Sequence, residues 1–222
     1  MALMNKLEAV LFDLDGTLLD SFPDFLVSLQ NLNIESSMQK IDQAVVRANI
    51  SDGSSKLLEL VFNIDKNDKN FEEHKRNFLS EYEKNILMYG NLFHGVSDLL
   101  NFLLDNKIPY GIVTNKPRKY TEIILKKSSL LRQSKVVICC DDGFKSKPDP
   151  EGINHACDIL GVQNSKCIYI GDHENDLNAS LSAGTISGIC SFGYGFDRAT
   201  YIDGVENFAS PIQILDFIKQ NV

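Results

Sequence analysis

The sequence predicts an α/β fold in which a parallel sheet is flanked by helices and interrupted near its start by an all-helical insert. Three observations predict it. From Val96 onward, short apolar runs alternate with helical patterns, the signature of repeated β-α units joined by right-handed crossovers. Several of the apolar runs stop at acidic, glycine-containing or small polar residues, as strands do where they feed loops at the carboxyl edge of an open sheet. From about Ser21 to Asn91, apolar residues recur only at helical spacing, and this stretch offers no convincing strand.

Val10-Leu11-Phe12 is the first strand, and it ends at Asp13-Leu14-Asp15-Gly16-Thr17. In the insert, Phe25, Leu26, Leu29 and Leu32 share a helix face, as do Ile41, Val45 and Val46, and then Leu57, Leu58, Val61 and Phe62. Phe71 to Met88 reads as a long, highly charged helix, and the polar stretch from Asn63 to Asn70 as an exposed loop between helices. Val96, Leu99, Leu100, Leu103 and Leu104 begin the alternation with a helix. Tyr110 to Val113 is a strand ending at Thr114-Asn115, Tyr120 to Lys127 a helix, and Lys135 to Cys140 a buried strand. Pro150 to Leu160 is a helix stopped by Gly161. Lys166 to Ile170 is a strand ending at Gly171-Asp172, Asp176 to Ala183 a helix closed by Gly184, Thr185 to Cys190 a strand, and Ile212 to Ile218 the last helix. The predicted boundaries are a core of residues 1–20 and 90–222 and a helical domain of residues 21–89.

Bulk properties narrow the function. The chain has 222 residues, 43% hydrophobic and 23% charged, enough to bury a sizeable core without disulfides or a structural metal. A net charge of −8 argues against nucleic acid or an anionic membrane as the partner, while a locally positive site for an anionic substrate stays compatible with it. The five cysteines contain no C-x-x-C pair and read as core thiols in a reducing compartment. No apolar run approaches the roughly 18 residues of a membrane span, and the N-terminal stretch lacks the basic-then-apolar pattern of a leader. The expected setting is cytoplasmic, with a small molecule as partner and a monomer or homodimer as the assembly.

The strand ends carry the chemistry. Asp13-x-Asp15, Thr114-Asn115, Lys147 and Asp172-x-x-x-Asp176 all fall on loops that a parallel sheet gathers at one edge. Carboxylates brought that close resist ionising together unless a cation joins them. Hard oxygen donors with no Cys/His cluster favour Mg²⁺ over zinc. Lys147 adds positive charge, and Thr114 and Asn115 add small hydrogen-bonding groups. The set suits a phosphoryl group in a charge-rich transition state.

The segment Phe12-Asp13-Leu14-Asp15-Gly16-Thr17-Leu18-Leu19-Asp20-Ser21 resembles the first motif of the haloacid dehalogenase superfamily. Val113-Thr114-Asn115-Lys116-Pro117 resembles the second, Lys147-Pro148-Asp149-Pro150 the third, and Ile170-Gly171-Asp172-His173-Glu174-Asn175-Asp176 the fourth. The motifs occur in order, and a helical insert between the first two is similar to the C1 cap of the phosphoglycolate phosphatase-like branch. Ser191-Phe192-Gly193-Tyr194-Gly195 also has the look of that branch. The resemblance implies a Rossmann-like core with a cap that closes over the substrate, and a Mg²⁺-dependent phosphatase acting through an aspartyl-phosphate. It implies Asp13 as nucleophile and Asp15 as general acid and then base. It implies metal ligation by Asp13, Asp15 through its backbone carbonyl, and Asp172, with Asp176 in support. It implies phosphate orientation by Thr114 and Asn115, and charge neutralisation by Lys147.

Aspartate at position 15 fits phosphatases and phosphomutases; the ion-pumping ATPases of the superfamily carry threonine there, and its dehalogenases lack this aspartate. Phosphoglycolate is the first substrate expected by resemblance, with a sugar phosphate, such as a phosphorylated amino sugar, as competitor. A phosphomutase and a non-catalytic binding protein on the same fold are the rival classes. Within the cap, Arg47 to Lys56 resembles a substrate-facing segment, with Gly53 in a tight turn, Ser54 beside it, and Arg47 or Lys56 to meet a substrate carboxylate. Its alternative reading is a helix junction capped by Ser51 or Ser54. His173 is expected at the surface or behind the site, and His74, His94 and His155 as structural. Phe22 and Phe25 are read as packing residues that could also line the substrate pocket. Asp176 also reads as a cap for the helix that follows it.

Overall fold

The computed structural model describes residues 6–32, 41–196 and 202–222. Residues 1–5, on which part of the N-terminal reading falls, lie outside the described residues. The chain divides into two units, residues 1–19 with 92–222, and residues 20–91.

In the first unit six strands form one sheet in the order β5-β4-β1-β6-β7-β8. They are β1 (Ala9–Phe12), β4 (Tyr110–Val113), β5 (Val136–Ile138), β6 (Cys167–Gly171), β7 (Ile186–Cys190) and β8 (Glu206–Phe208). Every neighbouring pair is parallel. β1 lies centrally, with Val10 opposite Tyr110 on one side and Ile168 on the other, and its four residues are buried. An all-apolar strand is what a parallel strand covered on both faces requires, and it explains why β1 shows no polar alternation. On one face Ala9, Leu11, Val113, Val136, Ile138 and Tyr169 pack with Ile153, Ala156 and Cys157 of α7 (Glu151–Leu160) and with Ala179 and Ala183 of α8 (Glu174–Ala183). Cys157 and Cys167 belong to this cluster, so both act as small apolar side chains. α5 (Val96–Asp105) and α9 (Pro211–Asn221) pack together, and α6 (Arg118–Lys127) follows β4. α7 and α8 end at Gly161 and Gly184, both left-handed, the conformation that favours glycine at a helix stop.

The second unit contains α1 (Phe22–Gln30), α2 (Gln43–Ala48), α3 (Ser54–Phe62) and α4 (Phe71–Asn85). α1 packs on α4, where the Phe25 ring stacks on Tyr82 at 4.2 Å between centroids. Phe25 is therefore core, and its burial is worth about 1.5–3 kcal/mol. Two two-residue strands, β2 (Leu19–Asp20) and β3 (Asn91–Leu92), pair where the chain passes between the units. Among the described residues no helix is long and apolar enough to cross a membrane.

Asp24 has no counterpart in the sequence reading. It is 1% exposed, and its carboxylate accepts from the backbone N–H groups of Leu87 (2.7 Å), Tyr89 (2.9 Å) and Gly90 (2.9 Å). A Cβ on Gly90 would stand 2.7 Å from Asp24 Oδ2, so only glycine lets the chain come this close. Asp24→Ala strands three backbone donors, that of Gly90 buried. We expect it to cost about 3 kcal/mol or more, read as a lower urea midpoint, with Asp24→Asn recovering part of the loss.

The structure corrects several sequence boundaries. β5 stops at Ile138, so Cys139 and Cys140 follow the strand, and Cys140 is only half-buried. The cause is local: Asp142 Oδ2 accepts from Cys139 N at 2.7 Å and turns the chain. Arg118 fixes that turn, pairing with Asp142 and donating to Val137 O at 2.8 Å. β2, β3 and β8 are strands that the sequence reading does not contain. Neither Ser51 nor Ser54 caps α3; its N-cap is Gly53, with φ 93° and no side-chain cap bond. α8 starts at Glu174 instead of Asp176, because His173 is its N-cap: its Nδ1 accepts from Asn175 N at 3.2 Å, and the Asp176 carboxylate accepts from His173 N.

Candidate active site

The carboxyl edge of the sheet gathers the polar strand ends. Asp13 follows β1, Thr114 follows β4, Asp172 follows β6, and Lys147 enters on the loop before α7. Asp13, Thr114, Lys147, Asp172 and Asp176 are all below one-tenth exposed. Asp13, Asp172 and Asp176 each offer an oxygen within 4.8 Å of the others.

Lys147 is the cation within this cluster. Its Nζ lies 2.8 Å from Asp13 Oδ1, 2.6 Å from Asp176 Oδ1 and 2.8 Å from Tyr169 Oη. An ammonium has three N–H donors, and here each has an oxygen within reach. Burial opposes the charge of Lys147, but the Asp13 and Asp176 carboxylates outweigh it and hold its pKa above the ordinary value. The Lys147–Pro148 peptide is cis. Tyr169 Oη also reaches Val113 O at 3.0 Å and Asp176 Oδ1 at 2.8 Å, joining β4, β6 and α8 beneath the site.

Three carboxylates against one ammonium leave excess negative charge in a buried space. Burial, with Asp176 nearby, pushes Asp13 up to about 6 despite the opposing pull of Lys147. Burial first, then Asp176 and Asp13, push Asp172 well above the usual carboxylate range. Such a donor set suits a dication, whose charge would offset the repulsion that raises both groups. All the donors are hard oxygens, which fits Mg²⁺. The surrounding backbone is shaped to the carboxylates. A Cβ on Gly16 would stand 2.2 Å from Asp172 Oδ2, one on Gly193 2.4 Å from Asp172 Cβ, and one on Gly171 2.3 Å from Asp176 Cβ. Tyr194 N donates to Asp172 Oδ2 at 2.8 Å, so the Phe192-Gly193-Tyr194 turn also helps to hold Asp172.

Asp15 sits on the turn that Gly16, at φ 81°, allows. Its Oδ2 accepts from Lys116 Nζ at 2.7 Å. Thr114 Oγ1 accepts from Lys116 N at 3.2 Å. Asn115 is engaged by the Lys147 loop. Its Oδ1 accepts from Lys147 N at 3.0 Å and its Nδ2 donates to Lys147 O at 2.9 Å. That side chain clamps the Lys147 loop, because an amide can satisfy both backbone groups of one residue. Asp176 stands at the head of α8, where its carboxylate accepts from His173 N, and lies in the carboxylate cluster.

Arg47, Gly53, Ser54 and Lys56 lie in the helical unit, the last three at the start of α3. Arg47 stands 3.8 Å from the Asp20 carboxylate and lies over the Phe22 ring at 5.7 Å, while Lys56 is exposed. The sequence reading quoted Lys116 and Tyr194 within motifs without a role, and did not single out Tyr169. The one available signal was a lysine and a tyrosine adjoining strand ends already marked as functional.

A family model described as haloacid dehalogenase-like hydrolase matches residues 10–188. An N-acetylmuramic acid 6-phosphate phosphatase of Pseudomonas putida KT2440 is 34% identical over 189 residues, covering 85% of each chain. A phosphoglycolate phosphatase of Xanthomonas campestris pv. campestris 8004 is 36% identical over 187 residues, covering 84% of each. A crystal structure from Haemophilus somnus 129PT, described as a predicted phosphoglycolate phosphatase, superposes with a TM-score of 0.85 at 23% identity, covering 96% of this chain and 99% of its own.

Proposed function

The chain belongs to the haloacid dehalogenase-like hydrolases, and from that premise we propose that it hydrolyses a small, carboxylate-bearing alkyl phosphomonoester through phosphorylation of Asp13. The observation that carries the reading is the buried cluster of Asp13, Asp172 and Asp176 around Lys147, with Asp15 two residues beyond Asp13. The two relatives named after phosphoglycolate and N-acetylmuramic acid 6-phosphate share that substrate chemistry: a primary alkyl phosphate on a molecule that also carries a carboxylate.

In this reading a carboxylate oxygen of Asp13 attacks phosphorus, and the ester oxygen leaves with a proton from Asp15. Asp15 then takes a proton from water as the water attacks the phosphoryl group, freeing inorganic phosphate and restoring Asp13. Lys147 holds Asp13 in place and offsets charge as the phosphoryl group arrives. Thr114 and Asn115 orient the phosphoryl oxygens, and Asn115 also keeps the Lys147 loop in register. Asp13 and Asp172 by their side chains, Asp15 by its carbonyl, and Asp176 in support would hold Mg²⁺. When bound, the cation supplies positive charge to the phosphoryl oxygens. Selection among substrates is assigned to Arg47, Gly53, Ser54 and Lys56 of the helical unit.

The test is phosphate release from phosphoglycolate, N-acetylmuramic acid 6-phosphate, hexose phosphates and nucleotides, with Mg²⁺ and with chelator. The expected result is release from a carboxylated alkyl phosphate with Mg²⁺, and at least about a 10²-fold loss on chelation. Release independent of divalent cation, or none from any ester, would defeat the proposal. Turnover that requires a phosphorylated activator and frees no phosphate would identify a phosphomutase instead.

A further inference from the structure

We propose that Lys116 is a positioning residue that fixes which oxygen of Asp15 handles the proton. The inference rests on the proposed phosphatase reading and deepens it. Lys116 and Asp15 lie 101 residues apart in sequence, yet Lys116 Nζ is 2.7 Å from Asp15 Oδ2, and both side chains are largely buried (5% and 13% exposed). Lys116 is itself held at the end of β4, where its N–H donates to Thr114 Oγ1 at 3.2 Å. The other oxygen, Asp15 Oδ1, is buried and has no hydrogen-bond partner among the described residues.

A buried carboxylate oxygen without a partner is costly unless something else uses it. The two oxygens of Asp15 are therefore not equivalent. Lys116 Nζ occupies Oδ2, which leaves Oδ1 as the oxygen that can exchange a proton with the reacting group. In the first half-reaction Asp13 forms a bond to phosphorus, the bond from phosphorus to the ester oxygen breaks, and the Oδ1 proton passes to that departing oxygen. In the second, water forms a bond to phosphorus, the acyl-phosphate bond between phosphorus and the Asp13 oxygen breaks, and Oδ1 takes the proton that water gives up. Throughout, Lys116 stays on Oδ2 and keeps the carboxyl plane fixed, so that one oxygen serves both transfers.

The discriminating experiment compares leaving groups. An alkoxide needs the proton as it departs, whereas p-nitrophenolate leaves readily without it. Because kcat/KM reports events up to the first irreversible step, it isolates leaving-group departure. The probes are p-nitrophenyl phosphate and whichever of phosphoglycolate and N-acetylmuramic acid 6-phosphate the wild type hydrolyses faster. Lys116→Met is expected to lower kcat/KM for the alkyl ester by roughly 10–100-fold, and for the aryl ester by no more than about 3-fold. Asp15→Asn should show the same selectivity. The double variant should be no worse than Asp15→Asn alone, since Lys116 acts through Asp15. If Lys116→Met does not fold, Lys116→Gln carries the same expectation. Equal losses on both esters, or no loss on the alkyl ester, would overturn the assignment. If the wild type releases phosphate from neither ester, or Asp13→Asn retains release, the phosphatase reading falls instead, so the two failures are distinct.

Discussion

Asp13→Asn is expected to abolish turnover, lowering kcat by at least about 10³-fold on every ester while leaving the fold intact. An amide cannot form the acyl-phosphate, and among the described residues the neighbouring carboxylates are otherwise engaged. Asp172 is tied to Tyr194 N, Asp176 to His173 N and Tyr169, and Asp15 to Lys116. Stability should move the other way. Asp13 is raised from 3.8 to about 6, so without metal the folded protein holds its proton more tightly than the unfolded chain does. That contribution is fully present below about pH 4 and is lost as pH rises through about 6. In chelator, therefore, the wild type should gain stability over Asp13→Asn as pH falls from 7 to 5, by about 1.3 kcal/mol. Paired urea titrations at the two pH values read this directly. A gain in the opposite direction would mean that the carboxylate cluster is not electrostatically crowded.

Lys147→Met is expected to do more damage than any other single change in the site, because it removes function and support together. Methionine roughly keeps the volume of the stem but leaves Asp13 Oδ1, Asp176 Oδ1 and Tyr169 Oη without the ammonium that lies 2.6–2.8 Å from each. Removing one partner of a buried ion pair costs on the order of 3–5 kcal/mol. The loss of a positive group beside the transferring phosphoryl lowers kcat by roughly 10²–10³-fold. The two effects separate experimentally. Added Mg²⁺ should restore much of the lost thermal stability, by supplying charge to Asp13, Asp172 and Asp176, and should not restore kcat. Recovery of kcat by the metal alone would show that Lys147 contributes charge without contributing position.

The features legible in the sequence were those fixed by backbone regularity. A fully apolar β1 reads as a buried parallel strand, and Asp13, Thr114 and Asp172 mark strand ends because a polar residue there stops an apolar run. Gly161 and Gly184 mark helix stops for an equally local reason. The features missed depend on pairings far along the chain. Asp24 acts through Leu87, Tyr89 and Gly90, more than 60 residues away, and Lys116 through Asp15, 101 residues away. β8 is a three-residue edge strand whose Glu206 and Asn207 give no apolar run. Asn115 stands at the predicted strand end, and its amide is engaged by the backbone of Lys147, a pairing 32 residues away. Residue type and spacing place a side chain at an edge; which neighbour it binds is settled by loops that spacing does not describe.

The most direct test of the account is to quench turnover in acid and weigh the peptide that contains Asp13. The account predicts one phosphoryl group on that peptide, removable by hydroxylamine, and none in Asp13→Asn. Turnover that proceeds with Asp13 unmodified, or with the phosphoryl group on another residue, would contradict it.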